Sequence, residues 1–130
     1  MTAFIDTNVL IYAQGDGAKS ETARQVVLAG GVISVQVLNE FAAVLRRKFR
    51  LEWEVIADAL ADVRTALGSV RPIDVEIHLH AVTLARSHGF SFYDALIVAS
   101  ALDAGCDTLL TEDLQAGRRV DGLSIVSPFV

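Results

Sequence analysis

Short apolar runs rich in β-formers alternate along this chain with longer stretches in which apolar side chains recur at helical spacing. The run that starts at Ala3 breaks at Asp6 and then resumes with helical character through Tyr12. Gly15-Asp16-Gly17 marks a turn, a second helix is predicted over 18–29, and Gly30-Gly31 ends it. Residues 32–35 read as a short strand, with Ser34 placed to cap a third helix whose apolar face is Leu38, Phe41, Ala42, Leu45 and Phe49. Val55, Ile56, Ala59, Leu60 and Val63 predict a helix over 52–67 closed by Gly68, followed by an extended segment at 70–73. Asp74 caps a helix to about His88, turning Ile77, Ala81, Leu84 and Ala85 inward and stopping at Gly89. A helix over 92–104, a buried strand over 106–110, a helical turn over 112–116 and a strand over 123–126 complete the pattern. Strands that alternate with helices imply an α/β fold with parallel pairing and right-handed crossovers.

Composition narrows this picture only modestly. The 130 residues fit one domain, 1–130, large enough to bury a core without disulfides or structural metal. The apolar fraction is 52%, yet no run is long enough to span a membrane; the densest, 95–102, is bounded by Asp94 and Asp103 and reads as a buried helix. No basic region followed by an apolar core opens the chain, and the lone Cys106 is expected in the core, so a cytoplasmic location is expected. The net charge of −5 argues against bulk attraction to nucleic acid, but two bound dications would bring it to −1.

The acids fall at informative places. Asp6 follows the first strand, Asp113 follows the strand at 106–110, Asp94 opens the helix that contains 95–102, and Glu40 borders the apolar face of the third helix. In an open α/β sheet, ligands bind outside the carboxyl ends of the strands, where these junctions lie. Each acid also has a purely structural reading. Asp6 can cap the first helix, Ser91 and Asp94 match a capping box, Asp113 suits a first helical turn, and Glu40 can be a solvated helix residue.

Phe4-Ile5-Asp6-Thr7-Asn8, Asn39-Glu40-Phe41, Phe92-Tyr93-Asp94-Ala95-Leu96-Ile97 and Leu110-Thr111-Glu112-Asp113-Leu114, in that order, resemble the PIN-domain endoribonucleases, and within them the VapC-type toxins of bacterial toxin-antitoxin pairs. The resemblance spans nearly the whole chain. It implies a three-layer sandwich, with a central, mostly parallel sheet flanked by helices, and Mg²⁺ or Mn²⁺ among Asp6, Glu40, Asp94 and Asp113. Asp6 and Asp94 look like the principal ligands, and Glu40 and Asp113 the supporting acids. A shift of one residue would give Glu112 the role of Asp113. Thr7, Asn8 and Thr111 are candidates for supporting hydrogen bonds. The resemblance further implies an RNA substrate, products with 5′-phosphate and 3′-hydroxyl ends, a cognate antitoxin protein and a homodimer.

The chemistry agrees with these residue types. Hard oxygen donors suit Mg²⁺ or Mn²⁺, and a partly hydrated ion can supply the attacking water and neutralise phosphoryl charge. Competing chemistries find less support. His78 and His80 lie two apart on a helix and face different ways, His88 sits at a helix end, and neither a Walker loop nor a Gly-x-Ser-x-Gly elbow occurs. Two alternatives remain. A haloacid-dehalogenase-like phosphatase would want an acid where Asn8 stands, and a catalytically silent PIN-like interaction module would use the acids as caps. Among the cations, Arg118 and Arg119 are favoured as phosphate contacts, while Arg46, Arg47, Lys48 and Arg50 are favoured as a solvated helix terminus. Phe49, Leu51 and Trp53 are expected to pack in the core.

Overall fold

The computed structural model describes residues 2–129. Along the chain run β1 (Ala3–Ile5), α1 (Thr7–Gln14), α2 (Ser20–Ala29), β2 (Ile33–Ser34), α3 (Val35–Arg47), α4 (Trp53–Leu67), β3 (Val70–Arg71), α5 (Val75–His88), α6 (Phe92–Asp103), β4 (Thr108–Leu110), β5 (Arg119–Val120) and β6 (Leu123–Val126). Several helix starts follow directly from side-chain chemistry. The Asp74 carboxylate accepts from the Ile77 amide, and the Ser91 hydroxyl accepts from the Asp94 amide, so each satisfies an amide that the first turn leaves free. Gly68 and Gly89 close α4 and α5 in the left-handed conformation that glycine adopts without a Cβ clash.

Four strands pair in the order β1-β4-β6-β5, and β2 pairs with β3. A bridge between Phe4 and Val32 joins the two groups, with the Ile5 amide donating to Val32 O and the Val32 amide to Ala3 O, each at 2.9 Å. Every pairing is parallel except that of β5 with β6. The chain steps outward from β1 to β2 to β3 and then returns past β1 to β4. Right-handed crossovers therefore put α1 to α4 on one face and α5 and α6 on the other. Most helix packing follows this division, α1 with α2 and α3, α4 with α2 and α3, and α5 with α6, while α3 also touches α6. The strand order reverses between β1 and β4, and the crevice beyond their carboxyl ends is the topological switch point.

The core holds Phe4, Ile5, Ile33, Phe41, Leu109 and Ile125, with residues 95–101 of α6 buried on every side. A helix apolar all round belongs between layers, as its sequence predicts. Cys106 is buried, as expected. Gly31 permits the close approach of β1: a Cβ there would stand 2.8 Å from Ile5 Cδ1 and 3.1 Å from Ala3 O. Among the described residues, no helix is long and apolar enough to cross a membrane.

Four expectations need correction. Residues 112–116 are bends and turns, not a helical turn, because Gln115 adopts a φ of 52° that no helix can continue. The predicted list lacks β5, a two-residue strand closed onto β6 by Asp121 and Gly122 at φ 49° and 89°. Phe49 and Trp53 are exposed, at 49% and 60%, because α3 ends at Arg47 and the turn into α4 carries both rings outward; Leu51 alone packs against the core. Ser34 occupies the cap position of α3, but its buried hydroxyl makes no hydrogen bond among the described residues.

Candidate functional site

Asp6 lies where β1 becomes α1. Its Oδ1 accepts from the Thr7 amide at 2.7 Å, and its Oδ2 accepts from Thr111 Oγ1 at 2.8 Å and Asn8 Nδ2 at 3.3 Å. Capping therefore occupies only one of its oxygens. The side chain is 6% exposed, and burial raises its pKa from 3.8 to about 6; the hydrogen bonds from Thr111 and Thr7 work against this rise, and the charges of Glu40 and Asp94 add to it.

The other acids reach the same place from separate elements. Glu40, half-buried on α3, accepts from Thr7 Oγ1 at 2.6 Å and from Gln36 Nε2 at 3.3 Å, so it is not a solvated surface residue. Asp94 projects from the first turn of α6; its amide donates to Ser91 Oγ at 3.3 Å, and among the described residues no hydrogen bond engages its carboxylate. Only that half of the capping box is formed. Asp113 follows β4, with Oδ2 accepting from Asn8 Nδ2 at 3.2 Å. Asp6, Glu40, Asp94 and Asp113 line one cleft of about 540 Å³.

Thr111 and Asn8 tie this cluster together. The fully buried Thr111 hydroxyl donates to Asp6 and accepts from Asn8 Nδ2 at 3.0 Å and from the Asp113 amide at 3.1 Å. Asn8 Oδ1 accepts from the Glu112 amide at 3.2 Å. The Glu112 side chain also borders the cleft, but it is engaged by Tyr12 OH and Lys19 Nζ, each at 2.6 Å, and the Lys19 and Tyr12 hydrogen bonds hold its pKa below the usual carboxylate value. Asp113 has no such cationic partner among the described residues, which separates the two neighbours chemically.

The basic residues are arranged otherwise than the sequence reading favoured. Arg47 and Lys48 line the acidic cleft. Arg118 instead donates to His88 O at 3.0 Å and Gln115 Oε1 at 2.8 Å and lies over the Phe90 ring, while Arg119 donates to Ser124 Oγ at 3.1 Å. Neither borders the cleft, because the loop before β5 carries them toward the end of α5. The histidines are also elsewhere: His78 packs edge-on against Phe92, and His88 stacks with Phe90 beside Arg118.

Gln36, Tyr12 and Lys19 were not singled out from the sequence. Gln36 stands four residues before Glu40 on a helix, a spacing that places the two side chains together and was available to find it. Tyr12 and Lys19 reach Glu112 across the fold, and nothing local announces that pairing. Among the described residues, no three His, Cys, Asp or Glu side chains form a ready-made metal cage. The donors fit Mg²⁺ or Mn²⁺ in a looser way: Mg²⁺ keeps most of its water and uses one or two carboxylates, and Asp6 and Asp94 are acids whose mutual repulsion a cation relieves.

The PIN-domain family profile matches residues 3–123. Comparison with curated protein sequences gives no match. Among solved structures, the chain is similar to one from a toxin-antitoxin complex of Klebsiella pneumoniae, 22% identical over 98% of both chains with a TM-score of 0.70. It is similar also to a chain of VapBC2 from Rickettsia felis bound to a promoter DNA fragment, 19% identical over 98% of both chains with a TM-score of 0.71. A third is VapC20 of Mycobacterium tuberculosis, a sarcin-ricin loop cleaving toxin, 21% identical over 83% of this chain and 87% of that one with a TM-score of 0.67. At these identities the three likenesses speak for the fold, and the profile match speaks for descent. The chain belongs to the PIN-domain family.

Proposed function

We propose that this protein is a Mg²⁺- or Mn²⁺-dependent endoribonuclease, a single nuclease domain over 1–130 that acts in the cytoplasm as the toxin of a toxin-antitoxin pair. The observation that carries this reading is the meeting of Asp6, Glu40, Asp94 and Asp113 in one cleft at the switch point between β1 and β4. Its antitoxin partner and its pairing as a homodimer rest on the VapC-type resemblance. The toxin-antitoxin complexes from Klebsiella and Rickettsia support the partner by analogy of fold.

In this reading Asp6 and Asp94 would hold the ion, and Glu40 and Asp113 would orient the attacking water. The bound ion would lower the pKa of the attacking water and neutralise charge on the scissile phosphate. Thr7 fixes Glu40, and Asn8 and Thr111 fix Asp6 and Asp113, so the acids are oriented before substrate arrives. One of the supporting carboxylates takes the proton of the water as its oxygen bonds to phosphorus. The bond from phosphorus to the 3′-oxygen breaks and that oxygen takes up a proton from solvent, giving 5′-phosphate and 3′-hydroxyl ends.

RNA cleavage measured against Mg²⁺ and Mn²⁺, for the parent and for Asp94→Asn, tests the mechanism. Cleavage is expected to need the ion and to be lost in the variant; persistence with EDTA and in Asp94→Asn would overturn it. A second comparison separates the neighbouring acids. Asp113→Asn is expected to reduce cleavage by about 10- to 100-fold, the loss typical of groups that support a metal site. Glu112→Gln leaves an oxygen to accept from Tyr12 and removes only a solvent-screened ion pair with Lys19, which matters little to stability. Its cleavage should stay close to the parent's, because the substitution removes none of the four acids proposed to serve the ion. The reverse ranking would transfer the role to Glu112.

A further inference from the structure

Resting on the proposed nuclease reading, we infer that Arg47 and Lys48 form a seat for an RNA backbone phosphate beside the acidic cluster. Together they are the cationic margin of a cleft whose other charged members are Asp6, Glu40, Asp94, Glu112 and Asp113. Helix-dipole matching explains a cation anywhere in the last turn of α3, but it does not explain the division of labour seen there. Arg46 turns away, donating to Leu51 O at 2.9 Å and lying 5.0 Å from the Trp53 ring centre. Arg47 and Lys48 border the cleft and, among the described residues, neither makes a salt bridge with any of its acids. Cations left unneutralised beside several carboxylates keep their charge for an anion that enters the cleft.

The spacing suits a strand that continues past the reacting phosphate. Glu40 and Arg47 lie seven residues apart on one helix, about 10 Å along its axis at 1.5 Å per residue. That distance keeps the guanidinium off the metal-holding acids and sets it against an adjacent phosphate. Ala43 and Val44 lie between them on α3 and line the cleft, with Ile11 from α1 nearby, giving an apolar floor on which a ribose or base can rest. Metal-holding and phosphate-holding groups thus share one groove in a chain whose net charge is −5. Local rather than overall charge draws the polyanion in.

The test is the salt dependence of binding, measured with a fluorescent single-stranded RNA and Mg²⁺ in the Asp94→Asn background, where cleavage does not consume the probe. Adding Arg47→Ala and Lys48→Ala should flatten the slope of log K against log salt by about 0.7, the share of one neutralised phosphate on a single strand. Arg47→Lys with Lys48→Arg should keep the slope. Arg118→Ala with Arg119→Ala removes the same charge from outside the cleft and should leave the slope unchanged. An unchanged slope without Arg47 and Lys48, or an equal flattening without Arg118 and Arg119, overturns the phosphate seat and leaves the nuclease reading standing. Absence of RNA binding by the Asp94→Asn chain at any salt overturns both, and persistent cleavage in that chain overturns the assignment of Asp94 alone.

Discussion

Asp6→Asn is expected to remove metal-dependent cleavage and, at the same time, to abolish a pH-dependent weakness of the fold. Loss of a residue that merely orients a metal ligand costs about 10- to 100-fold, so loss of a ligand itself should exceed about 100-fold. The stability effect follows from linkage. The carboxyl has a pKa of about 6 in the fold against 3.8 when unperturbed, so between those values the folded state holds the proton more tightly than the unfolded chain. Its contribution to stability is complete below pH 3.8 and is lost as pH rises through 6. The difference corresponds to about 3 kcal/mol. Urea unfolding of parent and variant at pH 4 and pH 7.5, without divalent ions, should therefore show the variant gaining on the parent by about 2 kcal/mol at the higher pH, since part of the effect is already spent at pH 4. The asparagine amide meets Thr111 and Asn8 as a donor facing donors, a penalty that is the same at both pH values and cancels from the comparison. Parallel stability profiles for the two proteins would show that Asp6 ionises normally, and that its burial is not the source of metal binding.

That prediction joins two readings that looked like rivals in the sequence. A cap and a metal ligand are compatible because a carboxylate has two oxygens, and the Thr7 amide uses one of them. The interruption of an apolar run at Asp6 was legible because burying a charge is costly enough to need a reason. What was not legible was the direction of its ionisation, since this depends first on burial and then on Thr111, which opposes the rise, and Glu40 and Asp94, which add to it, all far along the chain.

The same contrast runs through the fold. The helices were readable because each carries an apolar period or an end signal, such as Asp74, Gly68 or Gly89, that acts within a few residues. The parallel order of β1, β4 and β6 is a long-range outcome, and only crossover rules approach it. β5 had a local signal that was passed over: Val120-Asp121-Gly122-Leu123 is an Asp-Gly pair between apolar residues, the usual mark of a two-residue hairpin loop. Phe49 and Trp53 failed for the opposite reason. Their hydrophobicity promised burial, but hydrophobic residues on the surface are ordinary, and the end of α3 decides which way they point. Nearness in sequence to Asp113 does not make nearness in space: Arg118 is spent on His88 and Gln115, while the exposed end of α3 carries Arg47 to the cleft.

Thr111→Val is expected to disable the site without touching any of its acids. The valine is close in volume but removes a hydroxyl that donates to Asp6 and accepts from Asn8 and the Asp113 amide. A hydrogen bond to a charged group contributes about 1.5–3 kcal/mol, so a stability loss of that size is expected near neutral pH. At pH 4 Asp6 is protonated in the parent too, and the loss should shrink. The donor withdrawn is one that favours the ionised carboxylate, so the Asp6 pKa should climb above 6, and protons should compete with Mg²⁺ over a wider pH range. The acid limb of kcat/KM, measured at Mg²⁺ concentrations below saturation, should move to higher pH, and Thr111→Ser should bring it back. A role confined to packing would give the reverse pattern: Thr111→Val would retain the parent's acid limb, and serine, lacking the methyl group, would be the more damaged of the two. The site would then owe its orientation to Asn8 and Thr7.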